Sequence, residues 1–159
     1  MGSYRNRFLT KLESLRNGLI KENIANCRLA KDFDRPIKNE DEPIEEYYLR
    51  KSECWINHAD IFLLVFYDGT DNASVGIELK TILLNPDNAW RTILAYEENV
   101  PSLVVGLGLR YQPEISFIPF SNDSDLLRQS IGNIARYLGR LYFEVSQRPL
   151  GEWEGSSIL

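Results

Sequence analysis

The stretch that most constrains the fold runs from Ile61 to Leu79. It opens with Ile61-Phe62-Leu63-Leu64-Val65-Phe66-Tyr67, an unbroken apolar run rich in branched and aromatic residues. Such a run predicts a strand buried on both faces, as in a parallel sheet covered by helices. A polar turn follows at Asp68-Gly69-Thr70-Asp71-Asn72, and Ser74 is placed to cap a helix from Val75 to about Leu84. A strand, a tight polar loop and a helix start form the place where open α/β sheets bind ligands.

Glu78 adds chemistry to that geometry. At ~100° per residue, Val75, Glu78, Leu79 and Ile82 share one helix face, so the carboxylate falls within the stripe expected to pack on the sheet. A buried carboxylate without a partner costs several kcal/mol or gives up its charge. Two readings follow: Glu78 is a site group, or it turns sideways to cap a backbone group or pair with an Arg.

The chain has 159 residues, 43% of them apolar and 26% charged, enough for one α/β domain over 1–148 with a C-terminal tail over 149–159. A formal charge of −5 argues against a binder of nucleic-acid polymers, which needs a concentrated basic surface. With two cysteines, Cys27 and Cys54, and one histidine, no zinc-ligand spacing arises, and neither a metal nor a cofactor is expected. No signal peptide, no lipidation motif and no apolar run near ~20 residues is found, so the expectation is a cytoplasmic protein with no membrane partner.

Along the chain, Phe8, Leu12, Leu15 and Leu19 predict an amphipathic helix from Tyr4 to about Lys21, with Gly18 a mild cost within it. The alternation of Ala25, Cys27 and Leu29 predicts a weaker strand over Ile24 to Phe33, and the polar stretch from Asp34 to Glu42 predicts an exposed loop. Pro43 opens a second helix whose stripe of Ile44, Tyr48, Ser52, Trp55, Ile56 and Ala59 leads into the buried strand. Arg91 to Tyr96 and Glu114 to Phe120 read as further strands, and Pro101 to Leu109 as a helix. A long helix beginning near Ser124 shows a stripe of Leu127, Ile131, Ile134, Leu138, Leu141 and Val145. The order of elements is that of a doubly wound α/β sandwich without an obvious first strand.

The residues Asn72-Ala73-Ser74-Val75-Gly76-Ile77-Glu78-Leu79-Lys80 resemble the nucleoside 2-deoxyribosyltransferase-like superfamily, which includes deoxynucleoside 5′-monophosphate N-glycosidases. Those proteins carry a catalytic Glu in a D/S-x-G-x-G-x-E-L-G pattern after a sheet strand, and Gly76, Glu78 and Leu79 match it here. Ala59-Asp60 resembles the helix-to-strand joint of these families, and Met1-Gly2-Ser3-Tyr4-Arg5 resembles the loop that follows their first strand. Two readings of that beginning are open: the natural chain starts earlier, or Met-Gly-Ser is a start followed by a cloning remnant.

The resemblance implies a flavodoxin-like, three-layer, doubly wound parallel sheet, its first strand lacking if the chain begins at Met1. It implies a nucleoside or nucleotide N-glycosidic bond hydrolase or transferase in which Glu78 attacks or stabilises the anomeric carbon. Asn72 and Ser74 would position the substrate beside Gly76. Ser3 and Arg5, with Tyr4 against the sugar or base, would complete an anion site. Asp68 and Asp71 fit ribose hydroxyls or simple turn formation. A homodimer is also implied, with Tyr137, Tyr142, Phe143 and Trp153 as an interface or as core.

Two departures bear on the activity. The family's second carboxylate position falls on Ser52, with Glu53 about 100° further around the helix, and the Gly after Glu-Leu is Lys80. They motivate the alternative of a non-catalytic nucleotide sensor or interaction protein of the same fold. A Toll/interleukin-receptor-like domain that consumes a nicotinamide dinucleotide shares only the Glu after a strand.

Overall fold

The computed structural model describes residues 2–33, 36–69, 72–100 and 114–146. Helix α1 (Gly2–Lys21) is followed by α2 (Ile44–His58), strand β1 (Phe62–Phe66), α3 (Ala73–Ile82), β2 (Thr92–Glu97), β3 (Ser116–Phe120) and α4 (Asp123–Ser146). The three strands form one sheet in the order β1-β2-β3, all parallel. Helices cover both faces, an architecture consistent with the flavodoxin-like expectation.

The two-residue period of β1 divides its side chains between two cores. Val65 and Tyr67 join Ile93, Ala95, Ile118 and Phe120 beneath Leu15 and Leu19 of α1 and Leu126 and Ile134 of α4. Phe62, Leu64 and Phe66 point the other way, with Leu94, against Ile56 of α2 and Leu79 and Ile82 of α3. Both faces are apolar, which explains why β1 tolerates no polar residue. Ile82 is wholly buried, a burial that stabilises by about 1.5–3 kcal/mol.

The starts of β1 and β2 are joined by side chains. Buried Asn88 donates from Nδ2 to the Ile82 carbonyl at 2.8 Å and accepts from Arg91 Nε at 3.0 Å. Arg91 also donates to the Ala59 carbonyl at 2.6 Å and lies 4.8 Å over the Phe62 ring. The loop after α3 is therefore fastened to the joint before β1.

Four sequence expectations change. Ile24 to Phe33 is not a strand: Asn23 and Asn26 adopt left-handed φ of 64° and 60°, and a short 3-10 turn occupies Ala30–Asp32. Asp32 ties that turn down by accepting from the Leu29 N–H at 3.0 Å and from Arg16 at 2.8 Å, while Ile24 and Cys27 pack under the core. The cap of α3 is Asn72 rather than Ser74, because the helix bond from the Gly76 N–H already reaches the Asn72 carbonyl at 2.9 Å. The buried stripe of α4 is Leu126, Ser130, Ile134 and Tyr137, rotated from the expected one, which leaves Leu138 45% exposed. Ile44, expected on the α2 stripe, is exposed.

Pro119 lies in β3 opposite Tyr96, and its carbonyl accepts from Gln129 Nε2 at 2.7 Å. β3 is an edge strand among the described residues, so the missing N–H breaks no ladder bond there. The expected helix over 101–109 and the tail over 149–159 lie outside the described residues.

Candidate functional site

The carboxyl ends of β1 and β2 open onto a hollow of about 190 Å³ lined by Arg7, Phe8, Lys11, Asp68, Gly69 and Glu97. Three elements build it. The first half of α1 lies over the end of β1, bringing Arg7 and Lys11, one helical turn apart, to one wall. The turn after β1 supplies Asp68 and Gly69, and the last residue of β2 supplies Glu97.

Phe8, the aromatic residue of the lining, packs on an aromatic cluster in the core. Tyr67 is buried, with Phe8 at 5.2 Å and Phe120 at 5.6 Å between ring centroids. Lys11 Nζ lies 4.8 Å over the Tyr67 ring and 3.1 Å from Asp123 Oδ1. Burial, with the negative charges of Asp123 and Glu97 nearby, drives the Tyr67 phenol well above its ordinary range, so it stays protonated.

The turn itself is tightly specified. The Asp68 N–H donates to Glu97 Oε2 at 2.8 Å, and the Gly69 N–H donates to Asp68 Oδ1 at 2.8 Å. Gly69 has φ of +69°, a conformation costly for a residue with a Cβ. Asn72 Nδ2 donates to the Tyr67 carbonyl at 3.1 Å, closing the base of the loop.

Among the expected site residues, Asp68 lines the hollow and forms the turn, its Oδ1 accepting from the Gly69 N–H. Asn72 and Gly76 sit at the start of α3, and a methyl group added at Gly76 would meet nothing within 4 Å. The side chains of Ser3, Tyr4, Arg5 and Ser74 lie outside the described part of the structure, as does Asp71. Glu78 does not line the hollow. It is half-buried on α3, and desolvation raises its carboxyl above the usual range. Among the described residues no hydrogen bond or ion pair to Glu78 is found.

The departures from the family pattern are also placed. Ser52 is half-buried on α2, Glu53 is exposed, and Lys80 is exposed, turned away from the packed face of α3. Trp55 packs with the α2 and α3 core, in an edge contact with Phe62 at 6.1 Å, and His58 Nδ1 lies 2.6 Å from the Cys54 carbonyl. Cys27 and Cys54 are free, and burial pushes the Cys27 thiol up. Among the described residues, no group of three or more His, Cys, Asp or Glu could hold a metal ion, and no helix is long and apolar enough to cross a membrane.

Arg7, Phe8, Lys11 and Glu97 are the lining residues that sequence reasoning passed over. The signal was available in part: Arg7 and Lys11 stand one turn apart on the first helix, and Glu97 ends the strand beside β1. Compared with known proteins, the chain matches no family model, no curated protein and no solved structure.

Proposed function

We propose that this chain binds a nucleoside or nucleotide at the carboxyl ends of β1 and β2, and that Glu78 acts on its N-glycosidic bond. The observation that carries the binding reading is the composition of the hollow: two cations, two carboxylates and an aromatic ring around one opening. Arg7 and Lys11 suit an anionic group, and Asp68 and Glu97 accept from sugar hydroxyls. At about 190 Å³ the hollow is below the ~300–1,000 Å³ of sites that enclose a whole small ligand. It takes the sugar portion and leaves the base outside, toward the loop that leads to α3.

In the chemical step Glu78 Oε attacks the anomeric carbon as the C–N bond breaks. The bonding pair leaves with the base, which takes a proton from solvent, and water then hydrolyses the glycosyl ester and restores the carboxylate. The desolvated setting of Glu78 supports this role, because a developing oxocarbenium charge interacts more strongly with a carboxylate held away from water.

One observation favours the second reading, a nucleotide sensor or interaction protein without catalysis: Glu78 stands outside the lining of the hollow. The test is a chromatographic assay of free base from nucleosides, 5′-monophosphates and nicotinamide dinucleotide, run with Glu78→Gln alongside and paired with thermal melting. Base release that vanishes in the variant supports catalysis. Thermal stabilisation without release supports the sensor. Neither signal from any member of the panel sinks both.

A further inference from the structure

We infer that the hollow selects ribonucleotides over their 2′-deoxy counterparts, with Asp68 and Glu97 together holding the vicinal 2′,3′-diol of the sugar. The inference rests on the nucleotide reading of this site and names the sugar it takes. Both carboxylates are in the lining, and each has one oxygen committed to a backbone donor. Glu97 Oε2 accepts from the Asp68 N–H and Asp68 Oδ1 accepts from the Gly69 N–H, both at 2.8 Å. Among the described residues nothing donates to Glu97 Oε1 or Asp68 Oδ2, and no ion pair reaches either carboxylate. The turn therefore orients both groups before a ligand arrives and leaves one oxygen of each open to it.

The charges of the lining decide what those two oxygens take. Arg7 and Lys11 balance Asp68 and Glu97, so the hollow has no net charge with which to draw in a metal ion or an amine. Lys11 is paired with Asp123, outside the lining, and Arg7 makes no ion pair among the described residues, so neither cation neutralises the two acceptors directly. Neutral O–H donors fit instead. Asp68 bonds straight to the Glu97 carboxylate, so the two acceptors belong to residues in direct contact, and hydroxyls on neighbouring carbons match that closeness. A 2′-deoxy sugar brings one donor and leaves one carboxylate covered and unpaired. Glu97 is half-buried even in the open hollow, so water only partly replaces the missing hydroxyl.

The test is isothermal titration calorimetry of the full chain with adenosine, guanosine, cytidine and uridine 5′-monophosphates, each beside its 2′-deoxy counterpart. Wild type should bind the ribo member of a pair at least about tenfold more tightly. In the double variant Asp68→Asn and Glu97→Gln, each amide oxygen still accepts its backbone N–H while an NH2 group replaces the open oxygen, so the ratio should fall to about one. At least one of the two single variants should lower the ratio by itself, which keeps the test open if the double variant does not fold. Arg7→Ala should weaken both members of a pair alike and keep their ratio. Wild-type binding without a ribo preference overturns the inference and leaves the nucleotide reading standing. A preference that survives every carboxylate variant also overturns it, because the 2′-hydroxyl is then read elsewhere. If no member of the panel binds, the nucleotide reading fails and the inference fails with it.

Discussion

The Asp68 N–H points at the carboxylate of Glu97 across 2.8 Å, joining the turn after β1 to the last residue of β2. This bond ties two of the lining residues of the hollow, Asp68 and Glu97, to each other. Glu97→Ala should release it at a cost of about 1 kcal/mol, the usual net worth of such a bond. The Asp68 amide should then exchange with solvent faster than in wild type while amides within β2 keep their protection. Unchanged Asp68 exchange would show that the turn is held by its own geometry.

Arg91 makes the opposite kind of contribution, one of framework rather than site. Its guanidinium satisfies the Ala59 carbonyl and Asn88 Oδ1 while its Cζ lies 4.8 Å from the centre of the Phe62 ring. Arg91→Ala leaves both acceptors without their donor and uncovers the ring, which predicts a loss of about 2–4 kcal/mol. Arg91→Lys should recover less than half, because an ammonium cannot reproduce the planar fork. Urea denaturation of the three proteins decides this, and an Arg91→Lys variant as stable as wild type would contradict it.

Much of this framework was legible because some residues allow only one environment. A strand with no polar side chain from Phe62 to Phe66 needs cover on both faces, which already requires helices on both sides of a parallel sheet. The segment from Ile24 to Phe33 misled because three alternating residues make a weak period-two signal. The left-handed Asn23 and Asn26 that break it are set by local backbone geometry. Gly18 looked like a mere cost to helix α1. A Cβ there would lie 2.8 Å from a Leu127 methyl, so it permits the close approach of α1 and α4. The site was only half legible. Asp68 follows from the strand and turn pattern, whereas Arg7 and Lys11 meet it only because α1 packs over the end of β1, and Glu97 because β2 pairs beside β1.

Glu78 should leave a signature in the pH dependence of stability. Its folded-state pKa is raised by desolvation above the unfolded value, so the folded protein binds its proton more readily. The sign follows: wild type is penalised when the carboxyl is charged, above the raised pKa, and the penalty fades as pH falls toward the unfolded value. Glu78→Gln should therefore be more stable than wild type at neutral pH, with the difference shrinking as the solution is acidified. Asp32 is a control of opposite sign, since bonds from Leu29 and Arg16 hold its carboxyl below the usual range. Asp32→Asn should be less stable than wild type at neutral pH, and that gap should close in acid. Thermal melts across the acidic range measure both, and a Glu78→Gln advantage independent of pH would mean that the gain is not electrostatic.

Lys11 separates the roles of the hollow as structure and as binding site. Its ammonium lies over Tyr67 and against Asp123, while its position on α1 also places it in the lining beside Arg7. Lys11→Met keeps the length of the apolar stem and removes the charge. The loss of the ring contact and the exposed ion pair should cost about 1 kcal/mol of stability at most. Ligand recognition should respond differently according to the group held. If a nucleotide phosphate rests on this wall, Lys11→Met should weaken 5′-monophosphate binding about tenfold, as expected for one lost charge-assisted bond, and leave the parent nucleoside unaffected. Equal weakening of both would place the sugar against Lys11 and the phosphate elsewhere. Arg7→Ala provides the parallel measurement, because Arg7 is exposed and should change affinity with no detectable change in melting temperature.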